Sequence, residues 1–200
     1  VDHTHADAIL DITNRPNSMR ICKKIFGPEV GYVPYIMPGF LLAKKVFETY
    51  KKNPNLNCLV LLNHGIFTFS DNAKEAYNLM IKNVSLAESA IKKMKTKKIR
   101  QVKSQKLMLK PSDIAPVIRG LLTEPDTDNT FIVNFRTNKD IQYFMNGINA
   151  KKYSHRGTVT PDHVIRIKPY PIIVDMSATD TIDTFRKRLE TVLTKYKLEY

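Results

Sequence analysis

The sequence predicts an α/β fold in which helices cover both faces of a central sheet, making three layers. Apolar runs of strand length, such as 58–62 and 66–69, are separated by stretches whose apolar residues recur at helical spacing. Hydrophobic residues make up 42% of the 200 residues, which is enough to bury a core of ordinary domain size. We expect a small α+β appendage to follow this layered part.

Three regions are expected along the chain. The layered domain occupies residues 1–98, a basic connector occupies 99–111, and the α+β appendage occupies 112–200. The pair Lys110-Pro111 marks the start of the appendage, because a residue before proline is disfavoured in a helix.

Cap and turn residues separate the elements of the first domain. A strand tail leads into a helix that begins at Ala6 and ends at the turn 14–17. The further expected elements are helices at 18–26, 40–52 and from Asn72 onward, and strands at 31–35, 58–62 and 66–69. His64 and Gly65 interrupt the last two strands, which places that histidine at an edge or end of a mixed or mainly antiparallel sheet.

Weaker patterns define the appendage. Apolar spacing and caps predict helices at 112–122, at 138–145 and from Asp180 to the end. Runs rich in β-branched and aromatic residues predict strands at 130–135, 164–168 and 172–174.

The formal net charge of +13 is concentrated in one window. Residues 92–110 contain nine lysine or arginine residues and no acidic residue, but only one arginine and no aromatic residue. Proteins that bind nucleic acid usually combine arginines with aromatic side chains on one face. We therefore favour a solvated helix end and connector, with an anionic partner as the alternative, and we do not expect nucleic acid as a partner.

The composition also bears on cellular location. The sequence contains no run of eighteen apolar residues, and no secretory signal is visible at its start, so no membrane association is expected. The two cysteines, Cys22 and Cys58, lie in apolar segments, which favours reduced thiols over a disulfide. We predict a cytoplasmic protein.

Three histidines have spacings suited to a metal site. His3 and His5 are two residues apart on a strand, so their imidazoles share one side, and His64 ends an apolar strand. Three neutral imidazoles with a free fourth position form a catalytic zinc arrangement, in which the metal polarises a carbonyl. The alternatives are two exposed histidines for the His-x-His pair, and a hydrogen-bonded core histidine for His64.

Segments 2–10, 32–39 and 61–69 resemble, in order and spacing, motifs of the class II aldolase/adducin family, and the resemblance covers about residues 1–95. It implies that His3, His5 and His64 bind a divalent cation, usually zinc. In such enzymes the metal binds the hydroxyl and carbonyl oxygens of a ketose phosphate. The resemblance also implies a homo-oligomer, with a homotetramer as the default.

The segment 155–171 is similar to one in proteins that fuse an aldolase to a short-chain dehydrogenase, among them the rhamnulose-1-phosphate aldolase type. The 200 residues contain no Gly-x-Gly-x-x-Gly motif, so we expect no dinucleotide site of that kind within them. Asp162, His163 and Lys168 are candidates for a secondary metal or substrate site. A Pro-Asp turn that caps a strand is the alternative use of these residues.

The resemblance thus implies an aldolase that cleaves a ketose 1-phosphate of the rhamnulose or fuculose type to dihydroxyacetone phosphate and an aldehyde. The family's catalytic carboxylate and phosphate loops precede the His-x-His motif, so we expect them upstream of Val1. The catalytic residues stay unassigned, and we expect the chain alone to be a poor catalyst. A sugar-phosphate epimerase or dehydratase with the same ligands is one alternative. A non-catalytic adducin-like interaction module is another, although adducins have lost the histidines.

Overall fold

The computed structural model describes residues 1–95, 98–103, 109–124 and 130–199. The chain forms two compact units. The first comprises Val1–Thr96 and Thr158–Lys168, and the second comprises Lys97–Gly157 and Pro169–Tyr200. The segment Thr158–Lys168, which the sequence analysis assigned to the appendage, therefore lies with the first unit.

The first unit contains a four-stranded sheet and five helices among its described residues. Its strands are β1 (Asp2–Thr4), β2 (Gly31–Val33), β3 (Cys58–Leu61) and β4 (Gly65–Thr68). Its helices are α1 (Asp7–Thr13), α2 (Ser18–Phe26), α3 (Phe40–Lys52), α4 (Ala73–Lys93) and the single turn α8 (Pro161–Val164). Every element expected between residues 2 and 93 is present, with ends that differ by a few residues.

The sheet has the strand order β1-β4-β3-β2. Strand β4 is antiparallel to both β1 and β3, whereas β2 is parallel to β3, so the expected mixed sheet is confirmed. The tight connection between β3 and β4 contains Asn63, whose φ of 59° lies in the left-handed region. Asparagine tolerates that conformation better than most residues do.

Alternate residues of β3 pack against different helices, as the period of a strand requires. Cys58 and Val60 belong to the core formed with α1, α2 and α4, and Leu61 packs with Leu42 of α3. All four residues of β3 are buried, which is typical of a strand covered on both faces. The expected three layers, with helices on both sides of the sheet, are confirmed.

The described part of the second unit is helical. It contains α5 (Pro111–Leu122), α6 (Lys139–Met145), α7 (Ala150–Ser154) and α9 (Ile182–Leu198). Val117 of α5 packs against Phe185, Leu189 and Leu193, which lie four residues apart on α9 and share one face. Within the connector, Gln101 forms an isolated antiparallel bridge with Gly147.

The strands predicted at 130–135, 164–168 and 172–174 are wrong, because none of these residues pairs with a strand in the described part of the chain. Apolar and β-branched residues favour an extended chain, but a strand also needs a neighbour for its backbone hydrogen bonds. Ile132 is 97% exposed, and Ile172 packs against the α5–α9 core.

At Thr160 a helix begins, where a turn that caps a strand was the expected alternative. The Thr160 side chain accepts a hydrogen bond from the backbone N–H of His163 at 3.2 Å, and Pro161 is the first residue of α8. Helix α7 was also not predicted.

None of the described helices combines the length and the apolar character that crossing a bilayer requires.

We predict that both thiols are unreactive in the folded protein. Cys22 and Cys58 are fully buried, and burial raises their pKa to about 11 and about 12, so little reactive thiolate forms. A chromogenic disulfide reagent at about pH 8 should react slowly with the native protein and rapidly with two thiols per chain in guanidinium. Equal rates in the two conditions would contradict the burial.

We also predict an acid-sensitive contact at the start of α9. The Asp180 carboxylate accepts hydrogen bonds from the Ser177 backbone N–H at 2.6 Å and from Arg188 Nη1 at 2.7 Å. The Ser177 hydrogen bond, with a smaller contribution from Arg188, holds the pKa of Asp180 below its ordinary value. A carboxylate whose pKa is lower in the folded state adds stability above its unfolded pKa and loses it as the pH falls.

Asp180→Asn should therefore lower the melting temperature at about pH 7, and the difference from wild type should shrink towards about pH 3. Thermal unfolding followed by circular dichroism measures both. Glu190→Gln, on the exposed side of α9, is the control and should change neither value. A pH-independent difference for Asp180→Asn would show that the carboxylate charge is not the cause.

Candidate metal centre

Strand pairing brings the two histidine motifs together. In the antiparallel pair β1–β4, His3 lies opposite Phe67 and Thr4 lies opposite Ile66. Because the strands run in opposite directions, the end of β1 adjoins the start of β4. His5 follows β1 and His64 precedes β4, so the sheet places residues from both motifs at one end.

The three imidazoles form one cluster. The ring centroids are 4.8 Å apart for His3 and His5, 5.3 Å for His3 and His64, and 5.0 Å for His5 and His64. One nitrogen from each ring lies within 4.8 Å of the other two. His3 is exposed, His5 is half-buried and His64 is buried, so the cluster forms a wall open on one side.

His3 is held by contacts with β4. Its Nδ1 lies 3.0 Å from the carbonyl oxygen of Ile66, and its ring stacks on Phe67 with centroids 4.1 Å apart. A carbonyl only accepts, so this contact places the proton on Nδ1 and leaves a lone pair on Nε2. Metal-binding histidines commonly hold their second nitrogen in this way.

His5 has a corresponding contact on its far side. Its Nδ1 lies 2.8 Å from Oδ2 of Asp162, and its Nε2 lies 3.1 Å from Nε2 of His3. When both Nδ1 atoms carry their protons, two nitrogen lone pairs face each other. That arrangement is unfavourable unless a cation or a proton lies between the two nitrogens.

His64 supplies the strongest sign that the cluster fits a metal. Its Nδ1 is buried and has no hydrogen-bond partner among the described residues. An unpaired buried nitrogen typically costs about 1–3 kcal/mol. A cation among three imidazoles would satisfy such nitrogens, and an all-nitrogen donor set suits zinc.

Electrostatics keep the cluster in the form that binds metals. Partial loss of solvent around the rings lowers the pKa of His3 and of His64, and neighbouring histidines lower both pKa values further. A hydrogen bond from His5 lowers the pKa of Asp162, so that carboxylate stays ionised. Metals bind neutral imidazole, and lowered pKa values favour that form at neutral pH.

Gly65 allows the two strands to approach closely at the cluster. A Cβ at this position would lie 2.5 Å from the carbonyl oxygen of Thr4 and 3.0 Å from Cδ2 of His5. The first contact is with backbone, which cannot rotate away. The His-Gly pair therefore combines a buried imidazole with the space that the His-x-His strand needs.

An open cavity of about 550 Å³ adjoins the cluster at His64. Its wall is otherwise mainly apolar, with Val46 and Phe47 from α3, Phe67 from β4, and Phe69, which follows β4. Such a wall suits the hydrocarbon part of a ligand and lowers the local dielectric constant.

The structure brings His3, His5 and His64 together, as the spacing predicted. Two of the three candidates for a secondary site have different partners. Asp162 contacts His5, whereas the imidazole of His163 contacts the Thr160 hydroxyl. Lys168 lies at the end of the segment. The contacts of Ile66 and Phe67 with His3 were not predicted, and strand register is the signal that would have found them.

Two protein-family models match this chain. Residues 1–91 match the family model described as class II aldolase and adducin N-terminal domain. Residues 110–200 match the model described as aldolase class II, second domain.

Two individual proteins are similar to this chain. The uncharacterized oxidoreductase YuxG of Bacillus subtilis (strain 168) is 28% identical over an alignment of 209 residues. The alignment covers 98% of this chain but 30% of YuxG. The solved N-terminal class II aldolase domain of a conserved protein from Thermoplasma acidophilum is 48% identical. That match covers 44% of this chain and 40% of the other, with a TM-score of 0.41.

We predict that Gly65→Ala disrupts the cluster, because the added methyl group meets the Thr4 carbonyl and must push β1 away. Overpacking of this kind typically costs about 1–3 kcal/mol, measurable as a lower melting temperature. Gly120→Ala is the matched control, since its Cβ meets nothing within 4 Å and alanine favours a helix. Equal melting temperatures for Gly65→Ala and wild type would contradict the close approach of the strands.

Proposed function

Because this chain belongs to the class II aldolase family, we propose that it acts as a metal-dependent lyase and that His3, His5 and His64 bind its divalent cation, zinc. The observation that carries the proposal is the convergence of three imidazoles, one of which has a buried nitrogen with no hydrogen-bond partner among the described residues. A structural histidine in a core normally has both nitrogens satisfied. The described residues group no fourth ligand with the three imidazoles, and such a set suits catalysis better than a purely structural zinc site.

The proposed substrate is a ketose 1-phosphate of the rhamnulose or fuculose type, cleaved to dihydroxyacetone phosphate and an aldehyde. A divalent cation at the three histidines supplies a Lewis acid for the hydroxyl and carbonyl oxygens of that substrate. The sugar phosphate comes from the family resemblance. The polar, partly exposed face of the cluster agrees with a hydrophilic substrate.

The chain's own residues orient and shield the site. The Ile66 carbonyl holds the proton of His3 on Nδ1, and Phe67 fixes the plane of that ring. The apolar residues that line the cavity beside His64 lower the local dielectric constant, which strengthens electrostatic interactions there. We assign the general base to none of the described residues.

We further propose that the chain is the aldolase part of a bifunctional aldolase and short-chain dehydrogenase, that it forms a homotetramer, and that it works in the cytoplasm. The support for the fusion is that 98% of the chain matches less than a third of YuxG, a relative named as an oxidoreductase. The oligomer follows from the family resemblance, and the two buried free thiols agree with a reducing compartment.

We predict about one zinc ion per chain, measured by elemental analysis after dialysis, and its loss in His64→Ala. The reason is that removing one of three imidazoles removes a ligand, not only a packing contact. Far-ultraviolet circular dichroism checks that the variant is folded. A folded wild type that takes up no zinc would contradict the proposed metal site.

The reaction itself is tested with rhamnulose 1-phosphate and fuculose 1-phosphate, by a coupled assay for dihydroxyacetone phosphate. We expect product from a zinc-loaded protein that carries the family's upstream carboxylate and phosphate loops together with this chain, none after chelation, and recovery when zinc is returned. Conversion of a ketopentose phosphate to its epimer, or dehydration of a thioribulose phosphate, would identify one of the alternative reactions. Zinc binding by that longer protein without any of these reactions would contradict the proposed aldolase activity.

A further inference from the structure

One short segment crosses from the second family domain into the first unit. Thr158–Lys168, called the strap here, lies within the region that matches the second aldolase domain. Yet it belongs to the compact unit that contains the three histidines. The strap is therefore a place where the second domain can act on the metal centre.

Two hydrogen bonds attach the strap beside the cluster. In the first, Asn14 Nδ2 donates to the Val159 carbonyl at 3.1 Å. The same Asn14 side chain accepts from Asn63 Nδ2 through its Oδ1 at 2.8 Å. Asn63 directly precedes His64. The second attachment is the contact between Asp162 and His5 at 2.8 Å, so the strap is tied near both histidine motifs.

The sequence of the strap explains how Asp162 is presented. Thr160 caps the turn and Pro161 begins it, so Asp162 lies in the first turn of α8, where a carboxylate is favoured. Its side chain is 58% exposed, and that of His5 is 23% exposed. A pair this exposed adds little to folding stability, so stability alone does not account for the contact.

We propose that Asp162 is a positioning residue for the metal centre, holding His5 with its proton on Nδ1 and its Nε2 lone pair directed at the cation. The proposal rests on the proposed metal site and adds a contribution of the second domain to it. A carboxylate that accepts from a ligating histidine fixes the tautomer and the ring orientation and makes the other nitrogen a better donor.

Asp162 acts through His5 and not as a fourth ligand. Its oxygen contacts Nδ1, whereas Nε2 on the other side of the ring faces His3. His5 also depends on this contact more than His3 does. His3 has a backbone carbonyl and a stacked Phe67, whereas the hydrogen bond described for Nδ1 of His5 goes to Asp162.

The first test measures zinc affinity with zinc alone as the probe, by competition with a chromophoric chelator. Asp162→Ala should bind zinc about 10- to 100-fold more weakly than wild type. Asp162→Asn should lose less, because its amide oxygen still accepts from Nδ1 but carries no charge. Asp175→Asn, an exposed aspartate of the second unit, is the matched control and should bind like wild type.

The second test reads the histidine tautomer directly. In a long-range proton–nitrogen spectrum of zinc-free protein with ¹⁵N-labelled histidine, His5 should carry its proton on Nδ1. In Asp162→Ala, a larger fraction should carry it on Nε2. A residue that only anchors the strap would leave this tautomer unchanged, and that result would overturn the positioning role.

The outcomes also separate this proposal from the metal site on which it rests. If His64→Ala abolishes zinc binding while Asp162→Ala binds like wild type, the site stands and the positioning role is wrong. If wild type binds no zinc, or His64→Ala binds it equally well, both are wrong. Weaker binding in Asp162→Ala together with the tautomer change supports the proposal.

Discussion

The antiparallel pairing of β1 with β4 is the interaction on which the candidate centre depends. Two histidines come from one strand and its end, and the third comes from the turn that begins the other strand. A shift of register by one residue would turn His3 to the opposite face of the sheet and separate it from His64. The ligand geometry is thus a property of strand register.

Each histidine is supported by a different physical means. His3 is held by a carbonyl and an aromatic ring of β4, His64 by burial, and His5 by a carboxylate from a distant segment. Sites built on rigid elements are more accurate than sites on loops, and two of these three supports come from the sheet itself. The support of His5 is the exception, because it depends on the strap.

The first unit could be predicted from the sequence because its signals are local. The Asn72 side chain caps α4 by accepting hydrogen bonds from the backbone N–H groups of Lys74 and Glu75. The complete burial of β3 follows from its continuous apolar run. The second unit could not, since the runs at 130–135 and 172–174 resemble strands but pair with no strand among the residues that the structure describes. Pairing depends on the whole fold, whereas apolar patterning depends on neighbouring residues.

The site shows the same division. His3, His5 and His64 could be identified from spacing and family motifs, because those motifs are short and contiguous. The contact of Asp162 with His5 joins residues 157 positions apart, and no local pattern announces it. The Thr-Pro-Asp sequence at the start of α8 is typical of a helix start, but it was interpreted as a turn because a strand was expected at 164–168.

The long separation in sequence between β1 and β4 has an energetic consequence for the centre. Closing a loop of about sixty residues costs chain entropy that the short β3–β4 hairpin does not incur. The exposed His3 and half-buried His5 bury too little surface to offset that cost, whereas Ile9, Val60 and Ile66 are fully buried in the core of the same unit. The ordering of the ligands is therefore driven by the apolar core. A cation would bind to a cluster whose loss of chain entropy has already been offset by folding.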